Sequence, residues 1–469
     1  MKRSILIFLL IVLVGALSVT VVAAQSGGMR SYIVVANTRS GIPRAVEAQI
    51  RAAGGTITKN LSQIGVLVVS SANPNFESSV KGVKGIAPNR RIRAIEPTRL
   101  EPVQVSRTAN PPFSGDDDFY FDLQWGADAV NSPEAWATGT RGAGVIIAVL
   151  DEGVDKLNPD LSPNLRGDLS KSFVPGEEWW AEDPYGSGFN HGTHVAGIAA
   201  AADNAWGVIG VAPEAQIMSV KVLSEVLGYG LDEWIIDGIK YAADSGAKVI
   251  NMSLGSGPLD TRGACDAFGC YTADDVLAWF EAYSRAAEYA RSKGATVIAS
   301  AGNDAFDFSA NPQFIHLPSD ARGIISVSAT APMGWALDPE NAFLDYPTSY
   351  TNYGRERVDF AAPGGDTAYP GDETCTVGPL TRPCWVFDLV FSDGVCDDLG
   401  CFFWWAGGTS MAAPHVAGTV AIYQSYLGGT ASPDMIFAYL RWAADYVGTS
   451  TDEFWGHGRV AAYPSRFIH

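Results

Sequence analysis

Apolar residues in the long C-terminal part of the chain form short continuous runs, and more mixed segments separate these runs. The runs predict strands buried on both faces at 144–150, 216–222, 248–252, 296–300 and 324–328. The intervening segments predict helices near 194–202, 231–244, 272–293 and 411–426. Because strands that alternate with helices form a parallel sheet covered on both faces, we predict an α/β fold with a mostly parallel sheet flanked by helices for residues 117–469.

A smaller pattern precedes this region. Strands are predicted at 31–36, 65–71 and 92–95, and helices at 45–53 and near 75–83. These elements predict a small α+β domain within residues 25–100. Residues 101–116 are rich in Pro, Ser and Thr and predict a linker.

The first 24 residues have the pattern of a secretory signal. Met1-Lys2-Arg3 precedes an apolar run that ends in Val22-Ala23-Ala24. An uncleaved membrane anchor is the alternative, because a run of this length can span a bilayer. The small residues at its end favour cleavage after Ala24, and no later apolar run is long enough to span. We therefore expect a secreted, extracellular protein with no stable membrane anchor.

Charge is distributed unevenly along the chain. Residues 25–100 contain eleven Lys and Arg against three Asp and Glu, whereas the whole chain of 469 residues has a formal net charge of −19. A basic domain beside a strongly acidic one predicts that the two associate. The acidity of the large domain argues against nucleic acid as a partner.

The six cysteines lie in two segments, 265–270 and 375–401. An exported protein favours disulfides. Pairing between sequence neighbours (265–270, 375–384 and 396–401) is the simplest of about fifteen connectivities. A zinc site is the alternative, but there is no Cys-x-x-Cys pair and no nearby histidine cluster.

Three polar motifs follow or precede the predicted elements. Gly407-Gly408-Thr409-Ser410 opens the last small-residue helix, where backbone N–H groups and the helix dipole favour developing negative charge. By itself this pattern is more typical of an ordinary helix N-cap, and only the other motifs reverse that interpretation. Asp151 ends the strand predicted at 144–150, and His191 opens His191-Gly192-Thr193-His194. The chain therefore supplies an acid, a base and a nucleophile in the order Asp, His, Ser, which is the order in subtilisin.

On these motifs the chain resembles the subtilisin-like serine proteases (subtilases). The resemblance implies that Asp151, His191 and Ser410 form a catalytic triad and that the Asn303 side chain stabilises the oxyanion. It also implies that the basic N-terminal domain is an inhibitory propeptide, cut off somewhere in the 101–116 linker. An independent accessory domain is the alternative. His194 and His415 are expected to be structural, and a zinc pair of His191 with His194 is disfavoured because no His-Glu-x-x-His motif is present.

The resemblance further implies where substrate and calcium bind. The substrate-binding edges would be Ser253-Leu254-Gly255 and Gly228-Tyr229-Gly230, which would hold an extended peptide by strand addition. The calcium ligands would be supplied by Gln124, Asp160, Ala202, Asn204, Trp206 and Val208. A solvated turn without an ion is the alternative for this loop.

Two features depart from the family pattern. Glu152 follows Asp151 where the family usually has Ser or Thr, and this carboxylate would raise the pKa of His191. Two cysteine-bearing insertions, about 257–275 and 366–403, are not part of the common pattern, and the second either reshapes the primed side or the S1 rim of the cleft or forms a stapled surface loop. The second insertion leads directly to Ser410.

The sequence thus predicts a secreted, self-processing serine endopeptidase that acts on peptides and proteins as a monomer. Its own propeptide would be a partner, and a structural calcium ion would be bound. A catalytically inactive subtilase fold used for binding is one alternative. A serine hydrolase or transpeptidase acting on small esters or peptides is another.

Overall fold

The computed structural model describes residues 28–94, 97–104, 118–266, 269–398, 400–447 and 452–467. The predicted signal sequence and most of the predicted linker lie outside these residues. None of the helices in the described part of the chain has the length and hydropathy needed to cross a membrane.

The N-terminal domain is a four-stranded antiparallel sheet with two helices. Its elements are β1 (Arg30–Ala36), α1 (Arg44–Ala52), β2 (Gly55–Leu61), β3 (Val66–Ser71), α2 (Phe76–Ser79) and β4 (Val83–Pro88). The strand order is β2-β3-β1-β4. Helix α1 forms because Val46 and Ile50, one turn apart, are both buried against the sheet. The helix predicted near 75–83 is only four residues long, because residues 83–88 pair with β1 instead.

Two further strands connect this domain to the large one. They are β5 (Arg91–Ala94) and β6 (Arg99–Gln104). Each pairs with strands of the large domain and with none of its own. The predicted linker therefore begins with a strand.

The large domain contains many strands and helices. Its strands are β7 (Ile146–Asp151), β8 (Lys171–Ser172), β9 (Gln216–Lys221), β10 (Leu223–Ser224), β11 (Tyr229–Leu231), β12 (Val249–Met252), β13 (Leu254–Gly255), β14 (Leu259–Asp260), β15 (Gly263–Asp266), β16 (Gly269–Thr272), β17 (Thr296–Ser300), β18 (Phe314–Ile315), β19 (Ile324–Ala331), β20 (Tyr346–Pro347), β21 (Phe360–Pro363), β22 (Thr374–Val377), β23 (Leu380–Pro383), β24 (Val390–Asp397) and β25 (Gly400–Gly407). Its helices are α3 (Trp125–Ala129), α4 (Ser132–Ala137), α5 (His191–Ala200), α6 (Asp232–Asp244), α7 (Ala273–Ser292), α8 (Thr409–Tyr426), α9 (Pro433–Ala443) and α10 (Asp452–Trp455).

The main sheet confirms the predicted α/β fold. Its strand order is β20-β19-β17-β12-β7-β9-β8, with β21 beside β19. Every pairing in it is parallel except that of β19 with β20. Helices α5 and α8 belong to the hydrophobic core on one face, and α6 and α7 belong to the core on the other. Because the strands are parallel, their carboxyl ends meet at one edge of the sheet, where α/β proteins place their sites.

The cysteines form disulfides between sequence neighbours, as the simplest pairing predicted. The bonded pairs are Cys265–Cys270, Cys375–Cys384 and Cys396–Cys401. The alternative of a cysteine zinc site is therefore wrong. The third disulfide closes the tip of the β24–β25 hairpin.

Candidate active site

Asp151 and His191 are in direct contact. Asp151 is the last residue of β7, and His191 is the first residue of α5, whose N-terminus is capped by Asn190 accepting from the Thr193 N–H. His191 Nδ1 lies 2.8 Å from Asp151 Oδ1 and 3.0 Å from Oδ2. Both side chains are buried. Because a carboxylate only accepts, Nδ1 carries the proton, and the lone pair of the neutral ring is then on Nε2.

Ser410 lies at the start of α8. It contacts Ser253, the residue that follows β12, and β12 is the neighbour of β7 in the main sheet. The Ser253 hydroxyl, one residue after β12, donates to the Ser410 carbonyl at 2.8 Å, and Ser410 Oγ lies 3.4 Å from the Ser253 carbonyl oxygen. Strands β7 and β12 are parallel neighbours, so Asp151 and Ser253 lie at adjacent carboxyl ends. The structure thus brings Asp151, His191 and Ser410 to one point on the edge of the sheet.

Asn303 follows β17, the next strand along the same edge. Its Oδ1 accepts hydrogen bonds from the backbone N–H of Thr409 at 2.9 Å and from the Thr409 hydroxyl at 2.8 Å. A Cβ at Gly408 would lie 3.2 Å from Asn303 Nδ2. The amide group is therefore oriented with its oxygen on Thr409 and its nitrogen towards the backbone that leads into Ser410.

Both predicted substrate edges pair with β5. On one side Leu254 and Gly255 face Ala94 and Arg93 in antiparallel register. On the other side Gly230 faces Ile92. Residues 91–94 therefore lie between the two edges as an inner strand of the four-stranded sheet β10-β11-β5-β13. This is the arrangement expected of an extended peptide bound by strand addition.

The basic N-terminal domain is docked beside this cleft. The Arg90 guanidinium donates to Asp232 at 3.1 Å and lies 3.9 Å from the ring centre of Trp279. Lys59 pairs with Asp237 at 3.0 Å. The apolar face of its sheet shares a hydrophobic core with α6 and α7. The contacts therefore combine charge complementarity, as the uneven charge predicted, with apolar burial.

The other buried histidines have structural partners. His194 Nε2 lies 3.0 Å from the Trp404 carbonyl oxygen, and His415 Nδ1 lies 2.8 Å from that of Met411. Burial lowers the pKa of His194 to about 3 and that of His415 to about 4, so both are neutral at physiological pH. His191 and His194 bond to different groups, Asp151 and the Trp404 carbonyl. His316, which no motif singled out, fills the space between Gly255 and Gly302.

The loop predicted to bind calcium, 202–208, surrounds two buried carboxylates. The N–H groups of Asn204 and Trp206 donate to Asp118 Oδ1, and the Val208 N–H donates to Asp160 Oδ2 at 2.8 Å. Asp160 Oδ1 is buried and has no hydrogen-bond donor. Burial, together with the neighbouring Asp393, raises the pKa of Asp160 well above its usual value. A bound cation would favour the charged form of the Asp160 carboxylate. The oxygen atoms of this loop and of the two carboxylates are therefore ligands that fit calcium.

Gln124 makes a different contact from the one predicted. Its Nε2 donates to the Ile209 carbonyl at 2.9 Å, and its Oε1 accepts from the Ile209 N–H at 3.0 Å. Both polar atoms of the Gln124 amide thus bond the backbone of Ile209, the residue just after the loop. The carboxylate that contacts the loop from this part of the chain is Asp118. No motif singled out Asp118, because it ends an acidic stretch, Asp116-Asp117-Asp118, at the linker boundary.

One other group of acidic residues in the described chain has the spacing of a metal site. It consists of Glu177, Glu182 and Glu225. The buried Lys221 ammonium lies 3.0 Å from Glu177 and 2.7 Å from Glu225. The lysine already supplies the positive charge there, so this cluster gives no support for an ion.

Comparison with known proteins gives a consistent result. The profile of the subtilase family matches residues 142–458. Thermitase of Thermoactinomyces vulgaris is 32% identical over 352 residues, which cover 75% of this chain and 98% of thermitase. The major intracellular serine protease of Bacillus subtilis (strain 168) is 32% identical over 305 residues, which cover 65% of this chain and 76% of that protein.

Solved structures agree on the fold. Fervidolysin from Fervidobacterium pennivorans, described as a keratinolytic enzyme related to subtilisin, superposes with a TM-score of 0.65 at 25% identity over 93% of this chain. The match spans 60% of the fervidolysin chain. The epidermin leader peptide processing serine protease of Staphylococcus aureus gives a TM-score of 0.68 at 21% identity, covering 93% of this chain and 98% of that one. At this identity the second likeness bears on the fold alone.

Proposed function

The chain belongs to the subtilase family of serine proteases, and from this premise we propose that it is a secreted endopeptidase made as a self-processing precursor. Ser410 Oγ attacks the carbonyl carbon of a peptide bond, and the resulting acyl-enzyme is hydrolysed by water. His191 takes the proton from Ser410 and gives it to the leaving amine. Asp151 orients the ring and stabilises the imidazolium. The 2.8 Å contact of His191 with Asp151, beside a cleft that holds an extended strand, carries the proposal.

Asn303 and the backbone N–H of Ser410 bind the oxyanion of the tetrahedral intermediate. We expect Asn303→Ala to lower kcat about 100- to 1,000-fold with little change in KM, because this donor acts mainly on charge that develops in the transition state; the range comes from subtilisin, a relative. Steady-state kinetics on a peptide substrate measure both parameters. Asn341→Ala, at an exposed amide bonded to Asp338, should leave both unchanged.

If Asn303→Ala raised KM and left kcat unchanged, Asn303 would bind substrate in its ground state. The oxyanion role would then be wrong.

Self-processing is supported by the path of the chain through the cleft. On the upstream side β5 ends at Ala94, opposite Leu254, and the residue before Leu254 contacts Ser410. On the downstream side the Thr98 N–H donates to the carbonyl oxygen of Gly407, three residues before Ser410. Ala94 and Pro97 are the described residues on the two sides of the nucleophile, and we propose that the first cut falls between them. A cut in the 101–116 linker remains a prediction.

The basic domain then acts as an inhibitory propeptide. Its C-terminal strand, β5, occupies both substrate edges, and its ion pairs and apolar face hold it in place after the cut. An accessory domain that is retained in the active enzyme is the alternative. Secretion is supported by the signal-like residues 1–24 and by the disulfides, which are typical of an oxidising compartment.

Two assays separate this function from its rivals. A fluorophosphonate should label the mature enzyme at Ser410, located by mass spectrometry of its peptides, and the enzyme should digest denatured protein. Failure to label would favour an inactive fold used for binding. Labelling with turnover of small esters, but without digestion of protein, would favour a small-substrate hydrolase or transpeptidase.

We also propose a structural calcium ion, held by Asp118, Asp160, the Asn204 side chain and carbonyl oxygens of residues 202–208. With calcium at about 100 times its Kd, binding stabilises the folded state by about 2.7 kcal/mol. A chelator is therefore expected to lower the Tm of the wild type by several degrees. Asp160→Asn should abolish this response, measured by differential scanning calorimetry.

Asp203→Asn is the matched control for this loop. Asp203 lies in the same loop, but its carboxylate pairs with Arg141, so the variant should keep the calcium response. A Tm that does not respond to calcium or chelator in the wild type would show that the loop is a solvated turn.

A further inference from the structure

The last strand before the nucleophile, β25, has a second edge that faces the downstream side of the cleft. One edge of β25 pairs with β24, and the other pairs with β6 from Arg99 opposite Gly407 to Gln104 opposite Phe402. Strand β5 holds the upstream side, and β6 begins five residues after β5 ends. Strand β6 therefore lies where the part of a substrate that follows the cleaved bond would lie.

Strand β6 is held by specific contacts. The Thr98 N–H and hydroxyl both donate to the Gly407 carbonyl, at 2.6 and 3.0 Å. The Arg99 guanidinium lies 4.9 Å from the ring centre of Trp385, in the second cysteine-bearing insertion. Val103 is 2% exposed and belongs to the main hydrophobic core. Backbone pairing, a cation–π contact and an apolar anchor together fix β6 on β25.

We propose that β25 is a docking strand for the downstream part of protein substrates, and that β6 occupies it in the precursor as a second inhibitory segment. The proposal rests on the proposed function, proteolysis at Ser410. A cut between Ala94 and Pro97 frees the upstream edges from the covalent chain but leaves β6 on β25. Full activity on long substrates then requires β6 to leave.

The contacts define the substrate class. Strand addition needs an extended chain of several residues after the cleaved bond, so long peptides and unfolded protein segments fit and short ones do not. Pro102 has no N–H, so the other residues of β6 supply the backbone donors of its antiparallel ladder with β25. Trp385 favours a cationic side chain at the Arg99 position. The second insertion thereby belongs to the cleft.

Internally quenched peptides with the chain's own sequence test the proposal. One contains residues 90–104, a second stops at residue 98, and a third is the long peptide N-methylated at every residue from 99 to 104 except Pro102. The active enzyme purified from the full-length chain is expected to show a kcat/KM about tenfold higher for the long peptide than for the short one, through a lower KM. N-methylation should reduce the long peptide to the level of the short one.

A variant pair isolates the aromatic contact. Trp385→Ala should lower kcat/KM for the long peptide about three- to fivefold and leave the short peptide, which lacks Arg99, unchanged. Trp442→Ala is the matched control, because its ring stacks on Arg466 at 4.2 Å, away from the cleft. The enzyme form that cleaves the long peptide should have an N-terminus after Gln104.

The possible failures differ in what they show. Equal kcat/KM for all three peptides, or full activity on the long peptide in a form that still begins at residues 95–97, would overturn the docking role of β25 and leave the protease intact. If fluorophosphonate does not label the enzyme and none of the three peptides is cut, the proposed function fails and the inference fails with it.

Discussion

Replacing Ser410 with alanine is expected to abolish cleavage of peptide bonds. Without the hydroxyl no acyl-enzyme forms, and only the oxyanion donors and substrate binding remain to accelerate attack by water. In subtilisin, a relative, loss of the nucleophile lowers kcat by about a millionfold, and we expect a loss of this order here. Because the proposed first cut is made by the chain on itself, the same substitution should also stop maturation.

The measurement is the intact mass and N-terminal sequence of the secreted protein. Wild type is expected to have lost residues 25–94, and to begin after Gln104 once β6 has also been removed, whereas Ser410→Ala should retain residues 25–94 covalently. Ser425→Ala is the control on the same helix, since its hydroxyl only bonds the Ala143 carbonyl and should not affect processing. If wild type and Ser410→Ala begin at the same residue, another protease makes the cut and self-processing is wrong.

The elements that the sequence predicted well are those whose signal is local. Strand β17 (Thr296–Ser300) was predicted at its observed bounds because all five residues are apolar or small and all are buried. Helix α7 begins one residue after the predicted start, where Thr272 and Asp275 form a capping box. In both cases burial or capping is encoded in adjacent residues.

The elements that were missed depend on distant partners. Strand β2 (Gly55–Leu61) exposes Thr56, Thr58 and Asn60 and has no continuous apolar run, so only its pairing with β3 defines it. Strand β6 contains Pro102, which is typical of a linker, and its partner β25 lies about 300 residues further along the chain. Periodicity in a short window cannot report such a pairing.

The same distinction holds for the candidate site. Asp151, His191, Asn303 and Ser410 were found because each lies in a local motif at the end of a strand or the start of a helix. Among the predicted calcium ligands, the loop residues and Asp160 lie together, whereas Gln124 makes another contact. Asp118 was not predicted, because its contact with the 202–208 loop depends on how that distant loop folds back onto it. The residues next to Asp118 in the sequence do not encode this contact.

Asp151→Asn is expected to have the next largest effect, lowering kcat roughly 10,000-fold at neutral pH with little change in KM. Asp151 accepts from His191 Nδ1 and, at 2.9 Å, from the Glu152 N–H. An asparagine that presents its NH₂ group to Nδ1 would make that atom the acceptor and place the ring proton on Nε2. The ring would then be unable to take the proton of Ser410.

Glu152→Gln is the matched comparison, because it removes the neighbouring charge and keeps the contact of Asp151 with His191. Catalysis needs neutral His191, and we expect the negative charge of Glu152, next in sequence to Asp151, to favour the protonated ring. Removing the Glu152 charge should therefore extend activity to lower pH and leave the plateau value of kcat nearly unchanged. Full pH profiles of kcat for both variants measure this.

If Asp151→Asn kept kcat within tenfold of wild type, the 2.8 Å contact would not be what orients His191. The assignment of the triad would then have to be abandoned.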